Sequence, residues 1–157
     1  MVTKNLSISY LITIFILFVL CVSSFSQIVT YTPVNITWND AAPPLPSTIK
    51  IAVLEGDPSK EGEFTIRLKV PADWKIAPHW HPAIEHVTVI SGSFYLGNGE
   101  KFDEMTGTQL PSGSIAIMQP KTPHFAWVKE ETIIQLHGIG PWKIVYVNPE
   151  DDPANKK

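Results

Sequence analysis

Short β-type runs broken by glycine and proline leave this chain little freedom in fold class. Fourteen prolines fall across its 157 residues, and no ten-residue stretch carries a convincing helical period. Residues 49–54 (IKIAVL) form one run, closed by the turn Glu55-Gly56-Asp57-Pro58. Residues 64–70 (FTIRLKV) alternate apolar and polar, as a half-buried strand does. Further runs cover 86–90, 93–96, 114–118, 123–128, 133–137 and 143–147. Between them stand Ser91-Gly92, Gly97-Asn98-Gly99 with its hairpin chemistry, and Pro111-Ser112-Gly113. About eight or more short strands spaced this way describe an all-β sandwich or barrel.

The ends of the chain are different in character. Residues 1–26 open with Lys4, run through apolar 10–22 and finish Ser24-Phe25-Ser26, the layout of a secretory signal peptide. The competing reading is an uncleaved anchor, but roughly 13 apolar residues fall short of the about 20 that span a bilayer. Cys21 follows apolar residues as in a lipoprotein signal, with Leu20 too large for the small residue expected there. Cleavage after Ser26 removes the only cysteine, which leaves no disulfide or thiol chemistry. It also removes Lys4, the one charge in that segment, and moves the net charge from −3 to −4. Such a balance gives no basic surface for nucleic acid or anionic membrane. Export implies a periplasmic or secreted protein with no stable membrane span once the signal is gone. Residues 27–48 form a proline-rich arm, expected to be extended, 49–150 the barrel, and 151–157 a polar tail.

The stretch 79–92, HWHPAIEHVTVISG, carries the chemistry. On an extended strand His79 and His81 share a face, and Glu85 joins them if the chain stays extended past Pro82. Two imidazoles and a carboxylate from one strand make a first shell for a divalent metal. His124, in PKTPHFAW, is the candidate fourth ligand. Buried without a metal, the set would be costly. His86 has the opposite parity and should leave by the other face. Trp80 faces away from the histidines beside it, and Phe125 and Trp127 face away from His124; packing is the expected role of these aromatics. No Ser-His-Asp spacing and no phosphate-cradling glycine loop is present.

These residues resemble the first motif of the cupin superfamily, H-x-H-x3/4-E-x6-G, matched by His79, His81, Glu85 and Gly92. Asp73 stands where the motif has a leading glycine. The second motif, G-x5-P-x-G-x2-H-x3-N, fits more loosely through Gly113, Pro120 and His124, without the inner glycine and with Val128 for asparagine. From Trp38 to Pro149 the chain looks like small exported single-domain cupins related to the cupin half of zinc-binding anti-sigma factors.

The resemblance implies a double-stranded β-helix, a jelly-roll-like barrel, with one metal held by three histidines and a glutamate near its mouth. Zinc, iron, manganese, nickel or copper all suit that donor set. It also implies a small-molecule substrate or ligand and often a homodimer, for which the arm could extend a second barrel or pack on its own. Ile133, Gln135 and His137 alternate on a strand that lines such pockets, which makes Ile133 and Gln135 expected lining residues. His137 is then either an acid–base group near the metal or a structural histidine. Two functions from different classes are compatible with such a barrel: a metal-dependent enzyme of oxygenase, isomerase or hydrolase type, or a binding and sensing module with a structural metal.

Overall fold

A computed structural model describes residues 27–155. The expected signal segment, Cys21 included, lies outside the described residues, as do the last two of the tail. The chain falls into two units, residues 1–30 and 31–157. Of the first only 27–30 is described, without strand or helix. Every strand among the described residues lies in the second.

Eleven strands among the described residues form two antiparallel sheets. In chain order they are β1 (Asn39–Asp40), β2 (Lys50–Glu55), β3 (Gly62–Val70), β4 (Lys75–Trp80), β5 (Glu85–Ser91) and β6 (Ser93–Asn98). Then come β7 (Thr108–Pro111), β8 (Ile115–Met118), β9 (His124–Val128), β10 (Thr132–Gly140) and β11 (Val145–Tyr146). One sheet runs β1-β2-β3-β10-β5-β8 and the other β11-β4-β9-β6-β7. The all-β expectation holds, and helix among the described residues is confined to three single turns of 3-10 type. Among the described residues no helix is long and apolar enough to cross a membrane.

The core lies between the sheets, and alternation puts it there. In β3, Phe64, Ile66, Leu68 and Val70 are buried while Thr65, Arg67 and Lys69 alternate with them on the outer face. Val87 and Val89 from β5 and Ile134 and Leu136 from β10 extend the same core. In β9 both faces are covered. Ala126 and Val128 join the core, and Phe125 and Trp127 meet a second cluster built by the segment after β6. There Phe102 lies 4.9 Å from Phe125 and 5.7 Å from Trp127, ring centre to ring centre. The outward parity expected of Phe125 and Trp127 is therefore correct, and the covering segment explains why they are dry.

The chain changes sheets at Gly92, between β5 and β6. Its φ of +77° is left-handed, and a side chain there would meet Thr132 Oγ1 at 2.6 Å and the Glu131 carbonyl at 2.7 Å. That accounts for the glycine closing the histidine stretch. The expected tight hairpin at Gly97-Asn98-Gly99 is instead a longer connection, with one 3-10 turn at Glu104–Thr106 before β7 returns beside β6.

The proline-rich arm is not wholly extended. β1 pairs with β2, the Ala41 amide bonds the Ile49 carbonyl, and Ala41 and Leu45 are buried in this unit's own core. Ala41 and Leu45 of the arm thus pack on this unit's own barrel.

Candidate metal centre

His79, His81, Glu85 and His124 converge in the core, each between 3 and 4 % exposed. They reach it by a route the sequence did not suggest. His79 sits on β4, and its partner across the ladder on β9 is His124. The β4–β9 register shifts between Ile76 and His79. Ile76 and His79 both line the same cavity although three residues apart, a spacing regular alternation forbids. The irregularity inserts one residue and re-aims the histidine inward, the usual use of a β-bulge. His81 lies just past the end of β4.

The chain then bends at 82–84 instead of staying extended, and Glu85 opens β5 in the other sheet. The expectation that three ligands share one strand is thus corrected. The imidazoles come from the five-stranded sheet and its loop, and the carboxylate faces them from the six-stranded one.

The imidazole ring centres lie 4.3 Å (His79–His124), 5.0 Å (His79–His81) and 5.1 Å (His81–His124) apart. One nitrogen from each of the three falls within 4.8 Å of the others. Glu85 Oε2 is 3.3 Å from His81 Nε2 and 3.8 Å from His124 Nε2.

What orients the rings is main chain. His79 Nδ1 meets the Ala77 carbonyl at 2.8 Å, His81 Nδ1 the Lys143 carbonyl at 2.9 Å, and His124 Nδ1 the Thr122 carbonyl at 2.9 Å. A carbonyl only accepts, so each Nδ1 carries a proton, which leaves each Nε2 facing inward as the atom that can offer a lone pair to a metal. Burial, reinforced by the neighbouring His124 and His81, pulls the His79 imidazole down to about 3. Burial also lowers His124, against the Thr122 carbonyl and the Glu85 charge, which favour its protonation.

The result is a cluster of acceptors without a donor. His81 Nε2 is buried with no hydrogen-bond partner. Glu85 has no lysine or arginine within ion-pair distance among the described residues, although it is buried. Lone pairs and a carboxylate packed together repel unless a cation joins them. Three imidazole nitrogens and one carboxylate oxygen fit a divalent transition metal.

A backbone detail ties the two ligand-bearing segments together. Lys121 adopts φ +61°, and its amide bonds the His81 carbonyl at 2.8 Å. Lys121 stands three residues before His124, where the second motif has its inner glycine. Asp73, in place of the first motif's leading glycine, also has φ +61°. Both departures thus keep the left-handed backbone and accept its cost. Lys121→Gly is expected to stabilise the fold by about 0.5–1 kcal/mol. A urea titration of the metal-free protein reads this; no change or a loss would show that the lysine side chain contributes as much as the backbone costs.

The cavity beside the cluster is small, about 40 Å³, and otherwise walled by apolar side chains from both sheets. Ile134 and Leu136 line it, whereas Ile133, Gln135 and His137 do not. The parity expected for β10 is therefore corrected. Gln135 Oε1 accepts from Arg67 Nε at 2.9 Å on the outer face, and His137 is exposed there. No acid–base role for His137 at this cluster survives that placement. His86 faces outward as expected, its ring 4.6 Å from that of His137. Trp142 lines the cavity and stacks on His81 with ring centres 4.8 Å apart and planes 21° from parallel. Nothing in the spacing of an isolated Pro-Trp after a strand signals such a role.

No family model matches the sequence, and no curated protein matches it. Solved structures do resemble it in fold. The polyketide cyclase RemF from Streptomyces resistomycificus superposes with a TM-score of 0.65 at 14% identity, covering 81% of this chain and 90% of that one. An RmlC-like cupin from Ralstonia eutropha JMP134 gives 0.60 at 21% identity, over 80% of this chain and 75% of that one. The DMSP lyase DddQ from Ruegeria pomeroyi DSS-3 gives 0.57 at 15% identity, over 73% and 62%. The fold is the cupin double-stranded β-helix.

Proposed function

We propose that this chain is a metal-dependent enzyme acting on a small molecule, with His79, His81, Glu85 and His124 holding one divalent transition metal. The observation that carries the reading is the donor-free cluster of three Nε2 lone pairs and a carboxylate at an otherwise apolar cavity. When bound, the metal supplies Lewis-acid polarisation or activation of water or dioxygen. The chain's own part is orientation and exclusion of water. Main-chain carbonyls fix the three imidazoles, Trp142 backs His81, and apolar walls keep the space dry. Among the described residues the only titratable groups lining the cavity are the four ligands themselves, so proton transfer falls to them or to water. Oxygenase, isomerase and hydrolase chemistry all fit this arrangement. That one likeness in fold is called a polyketide cyclase and another a DMSP lyase supports a small-molecule substrate.

A second reading has its own support. Four protein ligands are the mark of a closed structural site, and no separate acid or base among the described residues lines the cavity. The chain would then be a binding or sensing module, in keeping with the motif resemblance to the cupin half of zinc-binding anti-sigma factors. In either case residues 1–26 point to a mature protein that is periplasmic or secreted, and a homodimer fits the cupin resemblance.

Elemental analysis of protein purified without chelator, beside a His79→Ala/His81→Ala variant, comes first. Near-stoichiometric metal that is absent from the variant supports the centre. Metal-dependent turnover of small oxygen-rich compounds, aromatic diols among them, then supports the enzyme. Stoichiometric metal without turnover across such a panel moves the conclusion to the binding module, and no metal in either protein after reloading overturns both.

A further inference from the structure

We propose that the outer face of the six-stranded sheet carries a second, weaker divalent-metal site, held by the imidazoles of His86 and His137. These two residues stand opposite each other in the β5–β10 ladder, with ring centres 4.6 Å apart and planes 20° from parallel. On its other side His137 pairs with Thr65 of β3, whose hydroxyl donates to Glu55 Oε2 at 3.2 Å. Glu55, Thr65, His137 and His86 thus form a row across four adjacent strands. Together with Glu63 they line one recess of about 320 Å³ on that face. Two imidazoles, with two carboxylates lining the same recess, are donors of the kind that suit zinc, copper or nickel.

A further observation points to a missing partner. His86 Nδ1 is shielded from solvent and has no hydrogen-bond partner. A buried ring nitrogen without a partner is uncommon, because burial removes the water that would otherwise satisfy it. His137, by contrast, is exposed, and side-chain torsions of the imidazole type occupy broad wells. In the proposed site that ring turns out of the stack so that nitrogens of both rings meet one cation. Carboxylates on the rim of the recess add the negative charge that divalent ions prefer. Water completes the shell, which makes this site weaker than the buried one.

Glu85 and His86 are consecutive and point to opposite faces of β5, so the two sites are separate and can be emptied separately. The proposal does not depend on the function proposed for the inner cluster. Zinc alone is the probe, read as bound metal per chain after dialysis of the full chain against a series of micromolar free zinc concentrations. Wild type is expected to hold two zinc ions per chain at saturation, and His137→Ala one. The His79→Ala/His81→Ala variant should retain one, and adding His137→Ala to it should leave none. Glu55→Gln with Glu63→Gln should weaken the outer site severalfold without changing the inner one. His137 is exposed, so its replacement leaves the fold intact, which an unchanged near-ultraviolet circular dichroism spectrum verifies. Equal zinc uptake by wild type and His137→Ala at every concentration overturns the proposal, as does a His79→Ala/His81→Ala variant that binds no zinc.

Discussion

Replacing His79 and His81 together by alanine is expected to strip the inner metal and lower the thermal midpoint of the loaded protein by about 10 °C or more. A ligand present at a thousandfold excess over its dissociation constant stabilises the folded state by about 4 kcal/mol. For a domain of this size each kcal/mol moves the midpoint by about 2–4 °C. The sign should change in chelator. Without a cation the wild-type cluster holds three inward lone pairs against a buried carboxylate, and His81 Nε2 has no partner. Alanine at both positions removes two of those polar rings, at the cost of a cavity. The variant is therefore expected to match or approach wild type once metal is removed from both. Calorimetry with and without chelator separates the cases. An equal deficit under both conditions would mean that the histidines only pack, and that no metal is held.

Metal-free protein should also lose stability as the pH falls from about 7.5 to 5, by roughly 2 kcal/mol through His79 alone. In the unfolded chain an imidazole takes up its proton near the ordinary value of 6.5, whereas folded His79 does so only at about 3. Between those values the unfolded state binds a proton that the folded state refuses, and acid favours unfolding. The contribution is fully present above 6.5, falls steadily below it, and levels off near 3. His124 is lowered as well and adds to the loss in the same direction. Urea midpoints of chelated wild type and His79→Gln, compared across that range, measure the effect. The variant should show the shallower slope; parallel slopes would place the His79 imidazole in contact with solvent.

Much of the fold was legible because its strands are bounded by strong breakers and fill two opposite faces. β3 is the clearest case, with apolar residues at every second position. The ligands were legible for a different reason: histidines and a carboxylate so near each other in an otherwise apolar stretch have few inexpensive roles. Their route was not. A bulge in β4 and the bend at 82–84 depend on pairing with β9, β11 and the other sheet, and pairing partners leave no local mark. β7 (TQLP) carries too little apolar pattern to stand out, being defined by its partner β6. In β10, Ile133 and Ile139 lie on one parity and Ile134 and Leu136 on the other, so alternation alone could not choose a face. A slip of one residue exchanges the faces of a strand, and that is how Gln135 and His137 came to be expected inside.

The three carbonyls that hold the imidazoles belong to Ala77, Lys143 and Thr122, and a peptide bond offers its carbonyl whatever side chain stands above it. The aim of the ligands is therefore insulated from mutation at the very positions that enforce it. Evolution can rewrite those three residues, and most of the surface around them, without detuning the centre. Only the ligands and the path of the main chain must be kept, so the sequence can drift far while the chemistry stands still.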